Sequence, residues 1–333
     1  MGNLLGVEPF LLFFVATALL FDFLNGFNDS ANTVATVISS RAMSPRAALL
    51  ISGAANFVGP FLFGVAVATT IGHEVIAEEA ATMTTVLAAL IGAIVWNLIT
   101  WLLGIPSSSS HALVGGLVGA AAIGHGFDAI LLPGLGKIVV VLFVSPIVGM
   151  VGGYLLMKST LFLARGATPR INTFFRRSQV LTAAALALSH GTNDAQKTMG
   201  IVTMGLLASG VLSQFHVPLW VIVVCASAMA LGTMLGGWRI IHTLGGKFYK
   251  IRPIHGFTSQ IASAAVILTA ALIGGPVSTT HVVSSAILGV GAAERMSKVR
   301  WGIVGHIVTA WLLTIPASGL MAMLGYTVIE RML

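Results

Sequence analysis

Gly26-Phe27-Asn28-Asp29-Ser30-Ala31-Asn32 places an Asn-Asp pair in the middle of a long apolar segment, and Gly191-Thr192-Asn193-Asp194-Ala195-Gln196-Lys197 does so again. Asn28 and Asn193 are 165 residues apart, and so are Asp29 and Asp194. A carboxylate inside hydrocarbon costs roughly 2.5–3.5 kcal/mol on the mildest insertion scale. Each pair therefore marks function rather than packing, and two pairs in matching surroundings mark a symmetric site. Asp22 is the one other acid inside an apolar segment.

The surroundings set the class. Of 333 residues, 56% are hydrophobic and 8% charged, with mean hydropathy +0.98. A soluble domain carries about 25% charged residues, so this chain lacks the polar surface to face water. Long apolar runs without alternation predict an all-α integral membrane protein rather than a barrel, expected in the inner membrane. Residues 1–8 contain no basic residue, which argues against a cleavable signal. The net charge of +7 lies in short loops between apolar runs, as cytoplasmic loops do, and does not point to nucleic acid. The single Cys225 sits in an apolar run and reads as core filler, leaving no disulfide framework or thiolate metal site.

The segment 8–40 is too long for a hydrocarbon core of ~30 Å at ~1.5 Å per residue. A helix broken near residues 25–32 would resolve this, and broken helices are where transporters bind ligands. Arg41 and Arg46 close the segment, residues 47–71 span back, and an acidic loop follows (Glu74, Glu78, Glu79). After the apolar stretch 82–104 comes Pro106-Ser107-Ser108-Ser109-Ser110-His111. Proline suits a first helical turn and serine caps one. Four hydroxyls at a buried helix start either form a dry anion site, where N–H groups and the helix dipole converge, or cap a loop.

These landmarks repeat. Pro276-Val277-Ser278-Thr279-Thr280-His281 follows the first run by 170 residues, as Pro316 follows Pro146; Gly232, Gly237 and Gly245 follow Gly59, Gly64 and Gly72 by 173. The chain divides into a first repeat (1–165), a basic cytoplasmic linker (166–178) and a second repeat (179–333). The loop carrying Arg41 and Arg46 corresponds to an uncharged one at 209–217, and the acidic loop at 72–81 to a basic one with Arg239, Lys247, Lys250 and Arg252. By the positive-inside rule the repeats are inverted. Each would make two spans, a hairpin returning to its own side and one more span, leaving both termini outside.

Face to face, the repeats bring together two hydroxyl-rich helix starts, suited to a tetrahedral oxyanion, and two carboxylates, which need a cation or proton beside that anion. Ser107, Ser108, Ser109, Ser110, Ser278, Thr279 and Thr280, with Asn28, Asn193 and Lys197, are the expected substrate ligands. Asp29, Asp194, Asn28, Asn193 and Asn32 are the expected cation-coupling residues, with sodium at Asp29 and Asp194 one option. Lys197 stands where Asn32 stands in the first copy, so its ammonium can replace a coupling cation or pair with Asp194 or the substrate. His111, His281 and His190 either relay protons or cap helices.

At these motifs the sequence resembles the inorganic phosphate transporter (Pit) family. Residues 26–36 look like its first signature, Ser189-His190-Gly191-Thr192-Asn193-Asp194-Ala195-Gln196-Lys197 like its second, and the two Pro-to-His runs like its paired hairpins. The resemblance covers essentially the full chain. It implies a secondary active phosphate–cation symporter, not an enzyme, with substrate at the hairpin tips and cations at the Asn-Asp motifs. Gln196-Lys197 is similar to the bacterial branch described as proton-coupled, so H+ or Na+ remain as coupling ions, with no cofactor. Val277, where the first hairpin has Ser107, makes the tips unequal. The expected partners are inorganic phosphate, alone or as a metal complex, the cation and membrane lipid; a homodimer is left open. Three rivals stand beside this reading: a sulfate symporter of the same family, an anion channel, and an intramembrane hydrolase built from Ser110, His190 and Asp194.

Overall fold

The computed structural model describes residues 9–332, so the expectation about a signal at residues 1–8 lies outside the described residues. Those described are helical apart from loops and one isolated bridge between Ile76 and Ile130. Two halves follow one order. The first has α1 (Pro9–Ser39), α2 (Pro45–Phe63), α3 (Ala66–His73), α4 (Met83–Leu103), α5 (Ser109–His125) and α6 (Leu132–Leu163). The second has α7 (Ile171–Ala208), α8 (Leu219–Leu235), α9 (Trp238–His242), α10 (Pro253–Leu272), α11 (Thr279–Glu294) and α12 (Trp301–Met332). Six of these helices (α1, α2, α4, α6, α10 and α12) are long and apolar enough to cross a membrane, and α8 with the segment after Gly237 makes a bent seventh. α7 is too polar to count, yet every residue from Ser189 to Leu206 is buried, so protein rather than lipid surrounds its middle. Of the stretch 166–178, residues from Ile171 on already belong to α7.

The expected break in the first helix of each half is not there. α1 and α7 are continuous over 31 and 38 residues. Polar side chains in α1 bond back to their own turns: Ser30 Oγ donates to the Phe27 carbonyl (2.8 Å) and Thr33 Oγ1 to that of Ser30 (2.9 Å), so the helix carries polarity without unwinding. The break falls one helix later. α2 ends at Gly64 (φ 80°) and α8 at Gly236 (φ 71°), left-handed positions that glycine reaches at no steric cost. Beyond Gly236-Gly237 the chain turns by 59°.

α1 and α7 run antiparallel. Phe14, near the start of α1, packs on Gly205 near the end of α7, and Ser40 just past α1 donates to Gln179 in the third turn of α7 (2.8 Å). Each also packs against the second helix of the other half, backbone to backbone. A Cβ on Gly26 would lie 2.1 Å from the Met229 carbonyl oxygen and one on Gly232 2.0 Å from that of Phe23, joining α1 to α8. Gly191 and Gly59 play the same parts between α7 and α2.

α4 and α5 form a hairpin whose two ends lie side by side, because Ala77 N–H donates to the Ala129 carbonyl and Leu131 N–H to that of Val75. α10 and α11 form another, closed where Arg252, His255 and Lys298 meet Glu294 and Arg300 N–H donates to the Phe248 carbonyl. The first hairpin is rooted at an acidic end of the bundle (Glu74, Glu78, Glu79, Asp128), the second at a basic end (Lys247, Lys250, Arg252, Arg295). Their outer arms exchange partners: α5 packs on α12, and α11 on α6.

Candidate functional site

The hairpin tips are built alike. Gly104 (φ 65°) ends α4, Pro106 prevents its continuation, and Ser108 in extended conformation caps α5 by accepting from His111 N–H. In the second hairpin Gly274 (φ 72°) and Pro276 interrupt the chain, and Ser278 caps α11 through His281 N–H. Both helices thus start three residues later than their prolines suggest. Ser108 and Ser278 serve their own helices, and Ser107 faces back to Thr100 (Oγ to Oγ1, 2.7 Å). Three of the seven expected hydroxyl ligands therefore support the tips and four reach the centre.

That centre lies between α1 and α7. Asp29 accepts from Thr280 Oγ1 (2.8 Å) and Ser109 Oγ (3.3 Å), one hydroxyl from each hairpin. Asp194 accepts from Thr279 Oγ1 (2.8 Å) and from Lys197 Nζ, with His190 Nε2 at 3.2 Å. Lys197 Nζ also donates to the Val277 carbonyl (2.9 Å) and to Ser110 Oγ, tying α7 to both tips; Ser110 in turn donates to the Val277 carbonyl (2.9 Å). Asn32 Nδ2 donates to Thr280 Oγ1 (3.0 Å). All of these side chains are buried. Burial without partners would be costly for each of them; here hydroxyls, carboxylates and ammonium satisfy one another.

Asn28 and Asn193 stand one step aside. Asn28 Nδ2 donates to the Asn97 carbonyl of α4 (3.4 Å) and Asn193 Nδ2 to that of Gly275 (3.1 Å), so each tethers the hairpin of its own half. The rings of His111 and His281 face each other at 4.5 Å between the tips, and Trp311 stacks on His281 at 3.8 Å. His111 Nδ1 lies 2.8 Å from Ser108 Oγ. His190 belongs to the centre itself: Asp29, His190 and Asp194 each offer a ligand atom, all within 4.8 Å of one another. Two carboxylates with surrounding hydroxyl oxygens suit a hard cation. The triad of the hydrolase reading does not form, since Ser110 bonds Lys197 and Val277 rather than His190.

Some contributors escape a reading by motif. Gln196 caps the break in the first half: Oε1 accepts from Val67 N–H (2.8 Å) and Ala68 N–H (3.3 Å), and Nε2 donates to the Gly64 carbonyl (2.6 Å). Ser30 does the same for the second half, accepting from Gly237 N–H (2.9 Å). Each first helix therefore secures the broken span of the opposite half. A buried polar seam, Thr36–Gln260–Thr182 and Ser40–Gln179, continues from the centre toward the basic end. The glycine pairs repeated at 173 residues were the sequence signal for the breaks; Gln260 and Gln179 carry no motif.

A buried anion-and-cation centre closed by two hydroxyl tips is matched by relationship. Residues 25–322 fit the description "Phosphate transporter family". The chain belongs to the phosphate transporter family. A probable low-affinity inorganic phosphate transporter of Rhizobium meliloti is 46% identical over 320 residues, covering 96% of both chains. One of Bacillus subtilis is 44% identical over 95% of this chain and 96% of its own. One of Mycobacterium tuberculosis is 46% identical over 96% of this chain and 78% of its own. Among solved structures, "The sodium-dependent phosphate transporter" superposes with a TM-score of 0.88 at 25% identity, covering 98% of this chain and 100% of that one. This family member is thus a multi-pass membrane transporter and not an enzyme.

Proposed function

We propose that the protein imports inorganic phosphate together with a cation, proton or sodium, by alternating access. The observation that carries this is the mutual engagement of hydroxyls and carboxylates at the centre. A hydroxyl has one proton to donate, and Ser109, Thr279 and Thr280 give theirs to Asp29 and Asp194. If phosphate takes those protons, the carboxylates lose their partners beside a second anion. Lys197 compensates Asp194; Asp29 has no such fixed charge and needs a cation. Anion and cation therefore bind together or poorly, which is the physical content of symport. The sodium dependence named for the structural relative supports a cation at this place.

The antiparallel α1–α7 pair and the opposed hairpins support repeats inverted in the inner membrane, with the basic end in the cytoplasm and the acidic end outside. Asp29, Asp194, Asn32 and His190 hold the cation on this reading, and Ser109, Ser110, Thr279, Thr280 and Lys197 hold phosphate. Asn28 and Asn193 position the hairpins.

Uptake of labelled phosphate into proteoliposomes, with sodium and pH gradients imposed separately, tests the reading. One gradient should drive accumulation above equilibrium; flux that only equilibrates and does not saturate would make the protein a channel. Cysteines replacing Glu78 and His216 should label from outside, and those replacing Ser44 and Lys250 from inside.

A further inference from the structure

Among the described residues three acids are buried in the interior, and they differ in what they receive. Asp194 has an ammonium, a hydroxyl and a histidine. Asp29 has two hydroxyls. Asp22 has nothing: it is 0% exposed, and neither carboxylate oxygen has a hydrogen-bond partner. Asn25, one turn on, is equally buried with neither its oxygen nor its nitrogen partnered. Thr198 of α7 lies beside Asp22, and its hydroxyl is likewise buried and unpartnered. The cluster stands about two helical turns, or ~10 Å, from Asp29 toward the acidic end, inside the apolar core that holds Phe14, Phe21 and Met199.

We propose that Asp22 carries the coupling proton, with Asn25 and Thr198 as hydrogen-bond partners of its neutral carboxyl group. This rests on the symport reading above and adds a second position to it: the charge beside phosphate stays at Asp29, and the proton whose gradient drives uptake rides on Asp22. An ionised carboxylate without a partner is strongly unfavourable in such surroundings, whereas a carboxylic acid can donate to Asn25 or Thr198 and accept in return. The titratable groups facing it are Asp194 and Lys197 from α7 and Cys225 from α8. Asp194 opposes a second negative charge, and the ammonium of Lys197 is already engaged by Asp194. α4 contains no titratable residue, α2 only Arg46 near its start, and those of α9, α10 and α11 sit at or beyond the level of Asp29. The closed packing of α1 against α7 and α8 is thus available to the neutral acid. One proton binds Asp22 Oδ from water at the acidic end, crosses as a carboxylic O–H, and leaves to water at the basic end; no other bond forms or breaks.

The test uses the full chain in proteoliposomes, with Asp22→Asn as the permanent neutral mimic and Asp22→Glu as the titratable one. Asp22→Asn should keep phosphate binding and phosphate–phosphate exchange while pH-driven accumulation falls about tenfold or more, a change worth ~1.4 kcal/mol or above. Asp22→Glu should retain accumulation. The infrared carbonyl band of a protonated carboxylic acid should be present in the parent protein at neutral pH and lost in Asp22→Asn. Full pH-driven accumulation in Asp22→Asn overturns the proposal. So does loss of binding and exchange in both variants, which would make Asp22 a packing residue. A sodium response that vanishes in Asp22→Asn, with no carboxylic band in the parent, would make Asp22 a sodium ligand instead. If the parent accumulates phosphate under neither gradient, the symport reading fails, and the infrared band alone then decides whether Asp22 holds a proton.

Discussion

The two copies of the polar motif occupy equivalent turns of α1 and α7, yet they end differently: Ala31-Asn32 in the first and Gln196-Lys197 in the second. The second copy carries its own cation. Lys197 spans Asp194, Ser110 and Val277, so that carboxylate is compensated by a covalently attached charge. In the first copy Asn32 reaches Thr280, and Asp29 relies on hydroxyls. On the symport reading proposed above, the centre has one fixed cation position, Lys197, and one exchangeable position at Asp29. On that reading the fixed charge would spare the transporter a second ion beside each phosphate.

The sharpest way to break this comparison is to remove the fixed charge. Taking one partner from a buried ion pair costs about 3–5 kcal/mol, and Lys197→Met should lower uptake by at least a hundredfold, at ~1.4 kcal/mol per tenfold. Lys197→Asn, which copies Asn32, should recover part of that uptake at high sodium. Initial rates against sodium concentration read both, and recovery without any ion dependence would show that the ammonium is not a cation substitute.

Next come the carboxylates. Asp29→Asn should abolish ion-driven accumulation with the melting temperature near that of the parent, because Thr280 and Ser109 can still bond an amide. Asp194→Asn should abolish accumulation and lower the melting temperature too, since it strands Lys197. Near-normal ion-driven transport by either variant would remove that acid from the coupling site.

A smaller effect concerns the substrate's own proton. Phosphate carries an O–H for much of the time at neutral pH and sulfate carries none. An ionised Asp can only accept, so it gains a charge-assisted bond from phosphate and faces sulfate as a like charge. At the roughly 1–3 kcal/mol of an unsatisfied buried group, labelled phosphate should be displaced by sulfate about tenfold or more less effectively than by phosphate. Equal competition from pH 6 to 8 would mean that Asp29 and Asp194 do not read the substrate proton.

The smallest effects separate the hydroxyls at the centre from those beside it. Ser109→Ala removes one hydrogen bond, worth about 0.5–1.5 kcal/mol net, or roughly two- to tenfold in uptake. Thr280→Val removes two, one given to Asp29 and one taken from Asn32, so its loss should be the larger. Ser107→Ala should stay within twofold, because its partner is Thr100. Equal losses at Ser107 and Ser109 would erase the distinction between support and ligand.

Much of this arrangement was legible from residue type and offset. Polar residues inside apolar runs stand out because the membrane makes them expensive, and Asp29, Asp194, Lys197 and the inner hydroxyls are all of that kind. The misplaced break shows where such reading stops. Length arithmetic says that a segment must tilt, protrude or break, but not which; α1 stays whole because Ser30 and Thr33 bond back to it. The true breaks at Gly64 and Gly236 depend on caps from Gln196 and Ser30, more than 100 residues away in the chain. A run of hydroxyls does not say which of them serve their own helices, so Ser107, Ser108 and Ser278 read as ligands although two of them accept a helix N–H and the third faces Thr100. By sequence His190 is only a relay or a cap, and only the fold sets it against both carboxylates.

The crossed glycine contacts carry a consequence for how the protein is made. Gly26 of α1 is shaped for the backbone of α8, Asp22 lies beside Thr198 of α7, and Asp29 takes the shorter of its two hydroxyl bonds from Thr280 of the second hairpin. All of those partners are synthesised after residue 170. During biosynthesis α1 must therefore wait in the membrane with Asp22 and Gly26 uncovered while well over 100 further residues are translated. The first half is an unfinished surface rather than a module. Its assembly is a deferred step that begins only when α7, itself too polar to rest in lipid alone, arrives to be wrapped.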